Sequence, residues 1–292
     1  MNGLAVILAD AWRIALLTAA APIIGSVLLL AIARLTGARW TGIDRLGSLA
    51  AWLVAGGALL GLGQIGVDAP VHLKPWMSWW GVGLRMGLAG LVMAYAAGRL
   101  RAAASTTFAG VTLALYTALA TPLASDWMLG QVPGHPVSAI GMMLTVEAIA
   151  AAAAVMLVAG WGTLPTRQDL SRLMVAALLG LGYLTFMDFL IIWFGNLPSR
   201  VGFYLDRSTP VMVALVWAAV LSGLVAPVGL LSLVRGERGR RAAGGAALVG
   251  LLLFNCWWVA GGVVAVLLGA VLSVLLAGGA TVLLRRREVA HG

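Results

Sequence analysis

Apolar residues fill long stretches of this chain, broken at intervals by short polar segments rich in arginine, glycine and proline. Nine runs are long enough to cross a bilayer, a length of roughly 18–25 residues. They fall at about 11–34, 46–66, 79–99, 106–127, 138–162, 173–196, 209–234, 243–260 and 262–284. The alternation of a β-barrel strand is not visible in any of them. The pattern predicts one all-α domain over residues 1–292, a polytopic transmembrane helical bundle. The division between the last two runs rests on Gly261-Gly262.

The charges between the runs alternate as strongly as the hydropathy. Arg34, Arg39, Arg45, Arg99, Arg101, Arg167, Arg172, Arg235, Arg238, Arg240, Arg241, Arg285, Arg286 and Arg287 all follow odd-numbered runs. That is fourteen of the nineteen basic residues. Arg13, Lys74, Arg85, Arg200 and Arg207 fall on the other side. By the positive-inside rule this predicts an N-terminus outside, a cytoplasmic C-terminus and an odd number of spans. Met1–Asp10 has no basic n-region, so the first run is expected to remain as a helix.

Composition narrows the class further. The chain is 62% hydrophobic and 10% charged, with mean hydropathy +1.01. A soluble domain carries about 25% charged residues. The net charge of +9 would suggest nucleic acid in a soluble protein, but here the arginines orient loops. Lipid is therefore the expected partner and nucleic acid is not. The single cysteine, Cys256, excludes a disulfide framework and any multi-cysteine cluster within the chain. His72, His135 and His291 all lie outside the runs, so no paired axial ligands for haem are available. Asp126, His135 and His72 match no metal-ligand spacing.

Candidate chemistry lies in the polar residues at lipid depth. Asp188 sits inside the apolar helix Tyr183–Pro198. A charge there costs several kcal/mol unless it is paired, hydrated or protonated. Counting 1.5 Å per residue puts Asp188 about 15 Å and Glu147 about 14 Å below the outer face, in one predicted layer. Arg85 and Asn255 are shallower, with Asp126, His135 and His72 at the mouth. Two readings follow. In one, Glu147 and Asp188 relay protons or accept one from a quinol, since desolvated carboxyls suit that task. In the other, Arg85 pairs with one carboxylate and the arrangement only fixes packing. Trp76, Trp79, Trp80, Trp127, Trp193, Trp257 and Trp258 read as an interfacial belt on the outer side.

Three blocks resemble a known family. They are Ser125-Asp126-Trp127-Met128 with Ser138–Met142, then Tyr183–Pro198, particularly Phe189-Leu190-Ile191-Ile192-Trp193-Phe194-Gly195-Asn196-Leu197-Pro198, then the basic loop leading to Asn255, Trp257 and Trp258. In order and spacing they resemble the F subunit of bacterial alternative complex III. That subunit is a quinol:cytochrome c oxidoreductase membrane component of NrfD-like, polysulfide-reductase-anchor type. The likeness covers about residues 104–260. It departs at Asp188, where the family carries an amide, and in the near absence of a loop between the last two spans.

The resemblance implies a multi-pass subunit of a respiratory complex in the bacterial inner membrane, non-catalytic or in contact with a quinone. It implies no cofactor in this chain, with haem and iron–sulfur groups confined to partner subunits. The implied partners are a homologous membrane subunit or terminal oxidase, and cytochrome c or iron–sulfur subunits on the outer face. A purely anchoring subunit is the alternative. A secondary transporter is a weaker one, because no repeat and only the Gly195-Asn196 helix end suggest it.

Overall fold

The computed structural model describes residues 3–64, 71, 74, 76–102, 104–129, 139–195 and 198–291. Among them the chain forms helices and no strands. They are α1 (Gly3–Thr36), α2 (Ile43–Gly47), α3 (Trp52–Leu60), α4 (Trp79–Arg101), α5 (Thr106–Leu129), α6 (Ile140–Ala159), α7 (Leu164–Phe194), α8 (Pro198–Asp206), α9 (Pro210–Val220), α10 (Ala226–Leu233), α11 (Glu237–Val259) and α12 (Val263–His291).

Among the described residues seven helices are long and apolar enough to cross a membrane: α1, α4, α6, α7, the continuous α9–α10 segment, α11 and α12. Each corresponds to one predicted run. The runs at 46–66 and 106–127 correspond to shorter apolar helices, Trp52–Gly63 and Thr106–Thr121. Helix ends moved where polar residues could continue the backbone ladder. α1 starts eight residues before the predicted edge and α7 nine residues before. Between α11 and α12 the chain does break, over Ala260–Gly262.

Side-chain contacts give the helix directions. Arg34 donates to the Leu100 carbonyl, while Arg13 donates to that of Gly63 at the opposite end of α1. Gly61 abuts Gly83 and Gly90 abuts Leu53, so α3 and α4 run oppositely. Thr145 meets Tyr116 and Gly141 meets Thr121, so α5 runs opposite to α6, and the short connection between Ala159 and Leu164 turns α7 back along α6, where Gly180 meets Val146. Gly269 packs on Ile14 and Gly261 bonds Asp10, so α12 runs with α1. The bundle thus has an Asp10 end and an arginine-rich end.

At its centre is α6. Ala150, Ala152, Ala153 and Ala154 are fully buried, and α1, α5, α7 and α11 all pack on this helix. Lipid tails are as apolar as leucine, so small residues that admit close backbone approach drive such packing. Gly25 of α1 shows the requirement: a β-carbon there would fall on the Ala148 carbonyl. A second crossing joins Gly223 to Gly250 of α11. Gly223 lies in a π-turn, Leu221–Val225, just before Pro227. Proline has no N–H for the carbonyl four residues back and its ring needs room there, which widens the turn at Gly223. A smaller core of Val27, Ala31, Ala50, Leu53, Ala96, Ala97, Leu100 and Ala109 fastens α3, α4 and α5 to α1.

The arginine-rich end is stapled by polar bonds. Trp40 donates to Asp169 at 3.1 Å, and Thr163 N–H donates to the Thr41 hydroxyl at 3.0 Å. Arg167 caps the α6 C-terminus through the Gly160 carbonyl at 2.8 Å and also pairs with Glu237 at 3.2 Å.

Candidate functional site: buried polar groups in the Asp10 half

Pro22 lies inside α1, within its apolar length. A proline cannot donate to the Thr18 carbonyl one turn back, which leaves that oxygen without its usual helical donor. There three helices meet. Asn255 of α11 donates from Nδ2 to Glu147 Oε1 of α6 at 2.7 Å, and the same amide lies 3.3 Å from Thr18 Oγ1. Glu147 and Asn255 are 2% and 3% exposed. Among the described residues no cation forms an ion pair with Glu147, and the neutral Asn255 amide is its donor.

Asp188 lies elsewhere. Gly180 packs on Val146, which carries Asp188 about 12 Å farther along α7 toward the Asp10 end. The predicted single layer therefore separates into two levels. The reason lies in the length of α7, which extends past its neighbour. Asp188 is half-buried and accepts a 2.6 Å bond from the Tyr204 hydroxyl of α8. Burial, then the bonded carboxylate, pushes the Tyr204 phenol above its usual range, so Tyr204 remains the donor. Around this pair stand Phe189, Trp193, Phe203 and Trp257, with ring centroids of Tyr204 and Phe189 5.3 Å apart.

A third group was not anticipated. Asp10 and Arg13 of α1 form a 3.3 Å ion pair, Arg13 donates to the Gly63 carbonyl, and Asp10 accepts from Gly261 N–H at 3.2 Å. Beside them Arg207 donates to the Trp257 and Trp258 carbonyls at 2.9 and 2.8 Å and lies over the Phe203 ring at 3.8 Å. Thus Arg207 caps the end of α11, where unsatisfied carbonyls and the helix dipole favour a cation. Asp10 receives the amide just before α12. Burial draws the Arg207 guanidinium down to about 10, and nearby Asp206, Asp10 and Tyr204 oppose the shift, so it stays charged at neutral pH.

The other predicted residues are dispersed. Arg85 stands over the Trp76 ring at 3.8 Å. Asp126 falls in the last turns of α5. His135 and His72 lie outside the described residues, as does Asn196. Trp76, Trp79, Trp80 and Trp193 are exposed as a belt requires, whereas Trp257 and Trp258 are core residues beneath Arg207. Among the described residues no three His, Cys, Asp or Glu side chains could hold a metal ion together.

Asp10 with Arg13 carried a legible signal, an acid and a base three residues apart at the mouth of an apolar run. Arg207 carried none, because its acceptors are about fifty residues away in the chain. Among the described residues the buried acidic or basic ones, Asp10, Arg13, Glu147 and Arg207, all lie in the Asp10 half. Compared with protein-family models and with curated proteins, the chain matches none.

Proposed function

We propose that this chain is a multi-pass subunit of a bacterial respiratory quinol-oxidising electron-transfer complex, seated in the inner membrane. In this reading the chain crosses nine times, with its N-terminus outside and its arginine-rich end in the cytoplasm. Its Asp10 half supplies polar groups facing outward, for proton movement or quinol contact, and docks partner subunits. The observation that carries the reading is the half-buried Asp188–Tyr204 pair, which ties α8 to α7 at the Tyr183–Pro198 block that resembles alternative complex III. The same helix leaves Tyr183, Phe186, Ile191, Trp193 and Phe194 exposed, a broad apolar face for another membrane subunit.

A second reading, a purely anchoring subunit, is favoured by a different observation. Glu147 is closed in by Asn255 and α1, which suits a group that holds three helices together.

Isolation in mild detergent tests the proposal first. Copurifying cytochrome, iron–sulfur or oxidase subunits are the expected result, and a chain that runs alone would sink it. Asp188→Asn and Glu147→Gln then separate the readings. Reduced quinol-dependent turnover in an intact assembly supports a working polar site, and full turnover in the double variant leaves anchoring. A C-terminal reporter fusion that is active only in the cytoplasm checks the orientation.

A further inference from the structure

At the arginine-rich end, α7, α10 and the start of α11 enclose a groove of about 450 Å³. Gln168, Arg172 and Val175 recur on one face of α7 at helical spacing, opposite Leu231, Val234 and Arg240. The charges are not balanced there. Among the described residues Arg167, Arg240 and Arg241 share Glu237 and Arg172 pairs with Asp169, so four arginines meet two carboxylates. The Arg172 side chain is 80% exposed and its ion pair is loose at 3.8 Å. Arg240 reaches Glu237 through one nitrogen at 3.4 Å, and its Nε has no hydrogen-bond partner.

Toward the middle of the bundle the lining turns apolar at Val175 of α7 and Leu231 of α10. From there the surface continues one turn deeper onto Leu179 and Val228, both exposed. A groove with cationic groups at water level and aliphatic groups beneath matches an amphiphile whose anion and tails leave in opposite directions. We propose that this groove is a headgroup site for an anionic phospholipid. Its phosphodiester sits between Arg172 and Arg240, and its acyl chains run along Val175, Leu231 and Val228. A free phosphate would use the arginines and leave the apolar floor uncovered. The inference stands independently of the respiratory reading.

Native mass spectrometry of the chain in neutral detergent tests it, with phosphatidylglycerol, phosphatidylcholine or inorganic phosphate added. One phosphatidylglycerol should be retained, and phosphatidylcholine should not. Loss of one arginine contact should weaken retention roughly fivefold. R172Q is the informative single variant because its exposed side chain leaves the fold intact, and R172Q/R240Q should lose the lipid. Arg39→Gln with Arg101→Gln, two exposed arginines of the same end but outside the groove, should bind as wild type. Leu231→Trp, which fills the groove without altering charge, should expel the lipid. Undiminished retention by R172Q/R240Q or by Leu231→Trp would overturn the proposal. So would equal loss in the Arg39/Arg101 control, or inorganic phosphate binding as tightly as the lipid.

Discussion

Arg207 is the side chain whose removal should be felt most widely, since one guanidinium holds α8 against the junction of α11 and α12. It is 9% exposed, donates to the Trp257 and Trp258 carbonyls, reaches that of Phe203 at 3.3 Å, and stacks on the Phe203 ring. Two good bonds from a charged donor contribute about 1.5 kcal/mol each at the lower end of their range. The ring contact adds about 1 kcal/mol. Removing a buried charge also relieves its desolvation, which offsets part of the loss. For Arg207→Met the balance is a destabilisation of about 3 kcal/mol. Arg207→Lys should lose about 2 kcal/mol, because an ammonium cannot present two donors in a fixed fork.

The chain contains its own reporter. Cys256 is its single cysteine, fully buried one turn before the junction. Maleimide labelling in detergent should be slow in wild type and about a hundredfold faster in Arg207→Met if release of the junction limits access. Unfolding in mixed micelles gives the stability change itself. Two results would refute the reasoning: Arg207→Lys within about 0.5 kcal/mol of wild type, which would remove the fork from the account, or Cys256 labelling that does not change.

Other outcomes can be checked in the same preparations. Tyr204→Phe and Asp188→Asn should each cost about 1 kcal/mol, and the double variant should lose less than their sum, because they share one bond. Asn255→Leu should cost about 1–3 kcal/mol by leaving Glu147 without its donor, whereas Glu147→Gln, which keeps an oxygen acceptor, should cost less; a larger loss from Glu147→Gln would count against the amide as partner. Gly25→Val should disrupt the α1–α6 crossing by about 3 kcal/mol or prevent folding, while Gly278→Ala, with open space around it, should be silent by the same unfolding assay.

How much of this was legible in the chain differs between class and site. The sequence by itself determined a bundle of apolar helices, seven of the nine expected runs being long enough to cross a membrane among the described residues, and the grouping of basic residues between them. Each of these follows from composition within one segment: without water, a backbone must satisfy its own hydrogen bonds, and an apolar run of sufficient length can do so only as a helix. The break at Gly261-Gly262 was legible for the same local reason.

Tertiary structure decided what the buried polar residues do. Asn255 finds Glu147 from 108 residues away, Arg207 finds the end of α11 from about fifty, and Gly261 finds Asp10 across nearly the whole chain. Such partners depend on which helices lie side by side, and this depends on scattered small residues such as Gly25, Gly223 and Gly250 that only the packed bundle brings together. Depth counted along each helix placed Glu147 and Asp188 in one layer because it treated every span as equally long and upright. The packed helices differ in length, and the two carboxylates meet different neighbours.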